Sequence, residues 1–502
     1  MTLSRRDFLK LGALVSASAA LSSCAPVYRR IAGSLPIVPW TALGAGDFLA
    51  LNRLTFGPRV EERARFAEIG LQAWIEEQLD FESIDDLDCD LQLLPFKTLK
   101  MEANELEGIS NQLFDGYDRD TVPNELRQAT LIRQMYSKRQ LYEVMVEFWS
   151  DHFNIFMGKE PEFYLKTVDD REVIRKHAFG SFRDLVWASA HSPAMMVYLD
   201  NQANEKSHPN ENYARELMEL HTLGVDGGYT QKDVMELARC LTGWNVKEHF
   251  WLGDFVFKED LHDTGVKNVL GLTIQPSGIK EAEQVIEMLV AHPSTARFIS
   301  TKLARRFIAD EPPLQLIEKA AQTFLNTKGD IKSVLRVILL DGLASAQPKY
   351  KRPVNFVLSS LRMLNVETDG AAVQDYLLRM GQLYFNWPTP DGYPDTSEAW
   401  QGNLMPRWQF AFELIRNEIP GTKHNLNALL DVSHLHLRQV QVSTSILQDD
   451  VDSITSLLLG APLERLTRDG LIDSVRTAGA TEEETLQIIA ASLIASPAFQ
   501  WR

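Results

Sequence analysis

The stretch PNENYARELMELHTLGVDGGYTQKDVMELARCLTGW, Pro209 to Trp244, decides how the chain is read. It is dense in Asn, Glu, Arg, His and Asp, yet its apolar residues recur at the three- and four-residue spacing of a helix. Gly224, Gly227 and Gly228 stop the first helical run, and Thr230 with Asp233 has the form of a capping box that opens a second. Set out at about 100° per residue, Asn212, Arg215, Glu216 and Glu219 share an arc of roughly 100°. Tyr213, Ala214, Leu217, Met218 and Leu220 fill the opposite side, with His221 in their midst. Glu216 and His221 therefore do not face one point. The spacing matches neither the Glu-x-x-His pattern of di-iron bundles nor the His-Glu-x-x-His pattern of zinc helices.

Outward from this stretch the same periodicity repeats. It covers Val60–Leu79, Glu125–Phe153, Arg171–Ala190, Ile279–Ala291, Ser294–Ala309, Leu314–Thr327, Ile331–Leu340, Pro353–Leu364, Val373–Met380, Arg407–Glu418 and Glu482–Ser496. Only Phe250–Phe257 and Val269–Thr273 look strand-like, which predicts one small β-hairpin near 250–273. The expected fold is mainly α: one large multi-helix unit over 47–502, with no internal repeat.

The N-terminus carries a different signal. Ser4-Arg5-Arg6-Asp7-Phe8-Leu9-Lys10 matches the twin-arginine export pattern, and a short apolar run, Leu11–Leu21, follows. That run falls short of the about 20 residues a bilayer span needs. Leu21-Ser22-Ser23-Cys24 resembles a lipobox, so residues 1–23 read as a lipoprotein signal peptide with Cys24 as the lipidated residue. Residues 24–46, rich in Pro and Gly, read as a tether. The expected location is the periplasmic side of a bacterial membrane, held by the lipid. Losing residues 1–23 removes three cationic side chains and one anionic one, so a net charge of −17 becomes −19. So acidic a chain argues against nucleic acid as a partner, since phosphates call for a basic surface. Cys89 and Cys240 make no disulfide framework, and Cys240 sits in an apolar helical pattern as a buried thiol would.

Several motifs resemble those of the domain-of-unknown-function 1800 family of exported bacterial proteins. They are Leu51-Asn52-Arg53-Leu54-Thr55-Phe56-Gly57, Phe148-Trp149-Ser150-Asp151-His152-Phe153, His177-Ala178-Phe179-Gly180, Ser192-Pro193-Ala194-Met195, the Pro209–Trp244 stretch, His262-Asp263, WPTPDGYPDTSEAW from Trp387 to Trp400, and Ser496-Pro497-Ala498-Phe499. The resemblance supplies no established activity. It implies one pathway partner, because members are often encoded beside a second exported family that looks like the alkaline phosphatase and sulfatase superfamily.

The chemistry must therefore come from the residues. Glu143, Glu147 and Asp151 lie along one helix face, with His152 among the apolar residues of the other. His177 falls beside Val173 and Ile174. If these faces meet, His152, His177 and His221 converge, and three neutral imidazoles suit a transition metal such as zinc, copper, iron or nickel. Otherwise each is a core histidine bonded to a carbonyl or carboxylate. His262 and Asp263, with Lys267 close by, lie in a polar loop as a ligand and base or as an Asx-turn. In the enzyme reading the histidines bind metal, Glu216, Glu219 and Asp263 serve as bases or orienters, and Arg215 binds an anionic group of a cell-envelope or extracellular polymer. In the other reading the protein is a non-catalytic scaffold or maturation partner of an exported phosphatase/sulfatase-like protein. Trp387, Tyr393, Trp400 and Trp408 either form a sugar-stacking platform or cap the core. No phosphate-cradling glycine loop, nucleophile elbow or dinucleotide fingerprint occurs.

Overall fold

The computed structural model describes residues 43–110, 119–247, 253–429, 446–478 and 481–502. The export signal, Cys24 and most of the tether lie outside them, as does the start of the Phe250–Phe257 run. The principal helices are α1 Ala45–Leu54, α2 Val60–Leu79, α3 Thr121–Tyr136, α4 Gln140–His152, α5 Glu162–Asp169, α6 Asn212–Glu216, α7 Gln231–Cys240, α8 Lys280–Val290, α9 Pro293–Phe307, α10 Leu314–Asn326, α11 Ile331–Gly342, α12 Pro353–Met363, α13 Leu404–Ile415 and α14 Glu482–Ala495. Their apolar faces merge into a core cluster that runs from Phe48 to Phe499. Helices α9, α10 and α11 stack on one another, and α13 packs on α14. Cys89 and Cys240 are buried free thiols.

Most boundaries follow local chemistry. The Thr230 hydroxyl accepts from Asp233 N (3.3 Å) while the Asp233 carboxylate accepts from Thr230 N (2.8 Å), closing the expected capping box on α7. Asp330 caps α11 by accepting from Ser333 N at 2.8 Å. The long run at 125–153 is broken between α3 and α4. There Asp86 accepts from the Ser137 hydroxyl (2.6 Å) and Lys138 N (2.7 Å), a long-range cap that periodicity does not register. Two stretches wind more loosely than an α-helix, Asp170–Arg175 after α5 and Leu217–Thr222 after α6. In the second, Leu223 N reaches Met218 O at 2.8 Å, an i to i−5 bond of a π-helical turn.

The strands differ from the single hairpin expected. β1 Trp244–Val246 pairs antiparallel with β2 Phe255–Phe257, and β3 Lys267–Val269 pairs with β4 Leu272–Ile274. The turn of the second hairpin explains the miss. Leu270 (φ 49°) and Gly271 (φ 80°) form a two-residue left-handed turn inside what reads as one apolar run, Val269–Thr273. α1 also starts at Ala45, inside the expected tether.

The LNRLTFG motif is a joint. Thr55 bonds back to Leu51 O (2.9 Å), Phe56 N donates to Gln140 Oε1 (3.1 Å), and the buried Arg53 guanidinium donates to Gln347 O (2.6 Å) and Arg502 O (2.9 Å). Gly57 is at φ 115°, and a Cβ there would lie 2.5 Å from Ser359 Cα, so the turn and α12 touch through main chain.

Candidate functional site

The C-terminal end of α4 places Asp151 and His152 at the floor of a cleft of about 230 Å³. Lys302, Arg305 and Arg306 of α9 form one wall, Arg352 closes the back, and the loop Asp391–Thr396 forms the other wall. Loop and helix meet through main chain. Gly392 sits at φ 73°, and a Cβ there would lie 2.0 Å from the Asp151 carbonyl oxygen. Only glycine permits that approach. Asn154 secures the same loop by donating to Trp387 O (3.0 Å) and Thr389 O (2.7 Å), and Tyr198 donates to Pro388 O (2.9 Å).

His152 bridges two of the expected segments. Its ring lies 6.1 Å from that of His221, so the inward faces of α4 and the 217–222 turn do meet. His221 stands in the last turn before Gly224 (φ 82°), where its carbonyl has no intrahelical donor. That carbonyl lies 3.1 Å from His152 Nε2, which fixes the tautomer: Nε2 carries the proton, and the Nδ1 lone pair is free. Nδ1 accepts instead from the Lys302 ammonium at 2.9 Å. Burial, then the Lys302 charge, holds His152 well below the ordinary histidine range, so the ring is neutral. Burial, with Lys302 adding, takes His221 down to about 3. Among the described residues neither ring nitrogen of His221 has a hydrogen-bond partner.

Behind His152 the carboxylate face of α4 is buried against arginines from distant segments. Glu147 takes Arg306 on one oxygen and Arg352 on the other, and Arg352 also donates to Asp151 Oδ2 at 2.7 Å. Arg306 lies 3.7 Å from Asp395, and Lys349 donates to Asp395 O at 2.9 Å. Glu143 pairs with Arg175 at 3.0 Å. The Asp151 side chain is 21% exposed, and burial pushes its carboxyl up to about 6, Glu147 adding to the effect and Arg352 opposing it. Lys302 moves the other way. Burial lowers its ammonium to about 8, Asp151 and Asp395 opposing and Arg305 adding. Two groups on one cleft thus titrate close to neutrality, the usual signature of a site that moves protons.

A family model described as "Protein of unknown function (DUF1800)" matches residues 49–501. The chain belongs to this family. No curated protein and no solved structure matches it. The DUF1800 motifs now sort by position. Phe148–Phe153 and the Asp391–Asp395 part of the aromatic loop build the cleft; LNRLTFG and HAFG are joints, Ala178 O accepting from Trp149 Nε1 at 3.0 Å.

The metal set expected of this DUF1800 chain does not assemble. His177 is half-buried, in the field of Lys176, Asp184 and Glu172, away from the cleft. His262 is buried in a separate cluster, with Glu281 3.1 Å from Nε2 and Thr242 O 2.8 Å from Nδ1. Asp263 there is paired with Arg239 (2.8 Å), whose hydrogen bond brings its carboxyl down to about 2. Lys267 is salt-bridged to Glu281. Among the described residues no group of three or more His, Cys, Asp or Glu is placed to hold a metal ion. At His152 the position a metal would take against Nδ1 is filled by the Lys302 ammonium, so the donor set does not fit.

The polar face of α6 does not line the cleft, although Asp391 of the loop acts on Glu216. Glu216 is half-buried and its carboxyl is raised by burial, by Glu219 and by Asp391. Glu219 accepts from the Tyr229 hydroxyl (3.2 Å), and Arg215 is spent on Glu211 (3.1 Å) and Gln231 (3.0 Å). The aromatic loop residues cap the core: Tyr393 and Trp400 are buried, Tyr393 donating to Leu383 O at 2.6 Å and Trp400 to Pro394 O at 2.9 Å. Lys302, Arg305, Arg306 and Arg352 were not anticipated. Their signal was the basic cluster Lys302-x-x-Arg305-Arg306 in an otherwise amphipathic helix, together with Lys351-Arg352 just ahead of α12.

Proposed function

We propose that this is an exported, lipid-anchored enzyme of the cell envelope whose cleft binds an anionic group and moves protons on the molecule that carries it. One observation carries the reading: Asp151, His152 and Lys302 meet on a cleft whose rim arginine, Arg305, spends only its Nε among the described residues, at 2.9 Å from Asp310 O. Arg305 binds the anion, and Asp151 exchanges the proton. The substrate is an acidic part of a cell-envelope or extracellular polymer. Titration with uronate, sulfated and phosphorylated oligosaccharides tests this. One acidic class should bind, its neutral parent should not, and Arg305→Gln should weaken binding ten-fold or more, since a charge-assisted bond contributes about 1.5–3 kcal/mol. Equal binding of charged and neutral forms would refute it. Export and anchoring are tested by Cys24→Ala, which should release the protein from membranes.

A second reading has its own observation. Met405, Trp408 and Phe412 on α13 are 70%, 40% and 43% exposed, and a groove of about 540 Å³ runs between Phe412 and Ile488 of α14. Such a patch suits docking of a protein, and the exported phosphatase/sulfatase-like neighbour is the partner in that reading. Co-purification lost in Trp408→Ser would favour it.

A further inference from the structure

We infer that Lys302 is a carbonyl-reactive amine, and that the compound it captures is an oxo acid, a ketone or aldehyde bearing a carboxylate, whose anion docks on Arg305. The inference rests on the reading of the cleft as an anion site. Three observations carry it.

The first is the partner of the amine. Three buried lysines here are salt-bridged to a carboxylate, Lys166 to Asp169 at 2.7 Å, Lys349 to Asp310 at 2.7 Å, and Lys267 to Glu281, and a fourth, Lys351, is packed over the Phe499 ring. Lys302 instead donates to the lone pair of a neutral imidazole, while Asp151, Asp391 and Asp395 act on it only through space. A carboxylate partner locks an amine in its ammonium form, whereas a neutral imidazole lone pair adds no opposite charge and can accept from the neutral amine as well as from the ammonium.

The second is direction. With the His152 tautomer fixed by His221 O, a neutral Lys302 amine keeps one N–H on Nδ1. Its own lone pair is then turned away from the ring. Lys302 lines the cleft, whose volume admits a compound of a few heavy atoms.

The third is the surroundings. Burial and the neighbouring Arg305 cation, at the i+3 position of the same helix, favour the free amine, the arrangement by which lysines become nucleophiles near neutral pH. Asp151, on the same cleft, is protonated over part of that range and can supply the acid.

The step balances without a co-reactant. The amine nitrogen adds its lone pair to the carbonyl carbon, the C=O pair moves to oxygen, and one of the two N–H protons passes from the now cationic nitrogen to that oxygen, giving a neutral carbinolamine. Asp151 then protonates the hydroxyl, which leaves as water. The N–H proton returns to the carboxylate, leaving a C=N bond to Lys302. Arg305 acts in ground-state binding of the carboxylate.

The test uses the wild-type protein, glyoxylate as the probe and cyanoborohydride to trap the imine, with the adduct mapped by peptide mass spectrometry. At pH 7.5 Lys302 should be labelled at least about ten-fold faster than the exposed Lys176 and Lys319, because burial and Arg305 favour its free amine and the cleft holds the carboxylate beside it. Propanal, which has no carboxylate, should lose most of that preference, and Arg305→Gln should lower the glyoxylate rate toward the propanal rate. Labelling of Lys302 no faster than of Lys319 would overturn the inference. Oxalate, an unreactive dianion, separates the two claims. If it raises the melting temperature of the wild type but not of Arg305→Gln while Lys302 stays unlabelled, the anion site stands and the nucleophile falls. If oxalate does nothing and Lys302 is unlabelled, both fall.

Discussion

Replacing Asp151 by Asn should make the folded protein more stable at neutral pH. The Asp151 carboxyl is pushed up from 3.8 to about 6 by burial and by Glu147, despite the 2.7 Å bond from Arg352. At about 1.36 kcal/mol per pH unit, holding that group ionised at pH 7.5 costs the folded state up to about 3 kcal/mol. The sign follows from linkage. Between about pH 4 and pH 6 the folded chain binds the Asp151 proton more tightly than the unfolded chain does, so stability falls as pH rises through that window and is level above it. Asn is isosteric, still accepts from Arg352 through its carbonyl oxygen, and carries no charge. Urea unfolding at pH 7.5 should show Asp151→Asn more stable than wild type by about 1–3 kcal/mol, and the two should converge near pH 4. A loss of more than about 1 kcal/mol at pH 7.5 would mean that the Arg352–Asp151 pair holds the fold together, and the argument for a functional carboxylate would fail.

Other outcomes follow from the same geometry. Gly392→Ala should displace the Asp391–Thr396 loop and lower stability by about 1–3 kcal/mol, with anion binding lost, as read by thermal melts and titration. Prolonged chelation should leave the melting temperature unchanged, and His221→Ala should cost about 2–4 kcal/mol as a core cavity without altering metal content by elemental analysis. Glu162 is buried, neither oxygen has a hydrogen-bond partner among the described residues, and burial raises its carboxyl well above the ordinary range. Burial favours the uncharged form, so Glu162→Gln should change stability by less than about 1 kcal/mol in urea unfolding.

Much of the helical frame was legible because it rests on local rules. The α2 boundaries, Val60 and Leu79, coincide with the end of apolar periodicity, and Thr230-x-x-Asp233 caps α7 as its side chains demand. The meeting of His152 and His221 was legible for a related reason: each lies on the apolar face of its helix, and apolar faces pack together. What those rings do was not. His152 is decided by Lys302, 150 residues away, and Asp151 by Arg352, 201 residues away. No periodicity encodes a pairing of that kind. The π-helical turn at 217–222 escaped as well, since apolar spacing does not distinguish one wide turn from an α-helical one. His262 and Asp263 lie in an internal ion-pair cluster, with Lys267 and Glu281 buried beside them and Asp263 accepting from Gly265 N at 2.7 Å as an Asx-turn does; the loop motif announces the turn but not the distant Glu281.

The contact of Gly392 with the Asp151 carbonyl is made entirely of atoms that every amino acid shares. A socket of that kind is indifferent to the side chains on either side of it. Substitutions at 394 or 396 would exchange the groups that border the cleft without moving the point where the loop is seated. Relatives could therefore diverge in what they accept while inheriting the same floor of Asp151, His152 and Lys302, so that substrate preference and reaction type would be inherited from different parts of the chain.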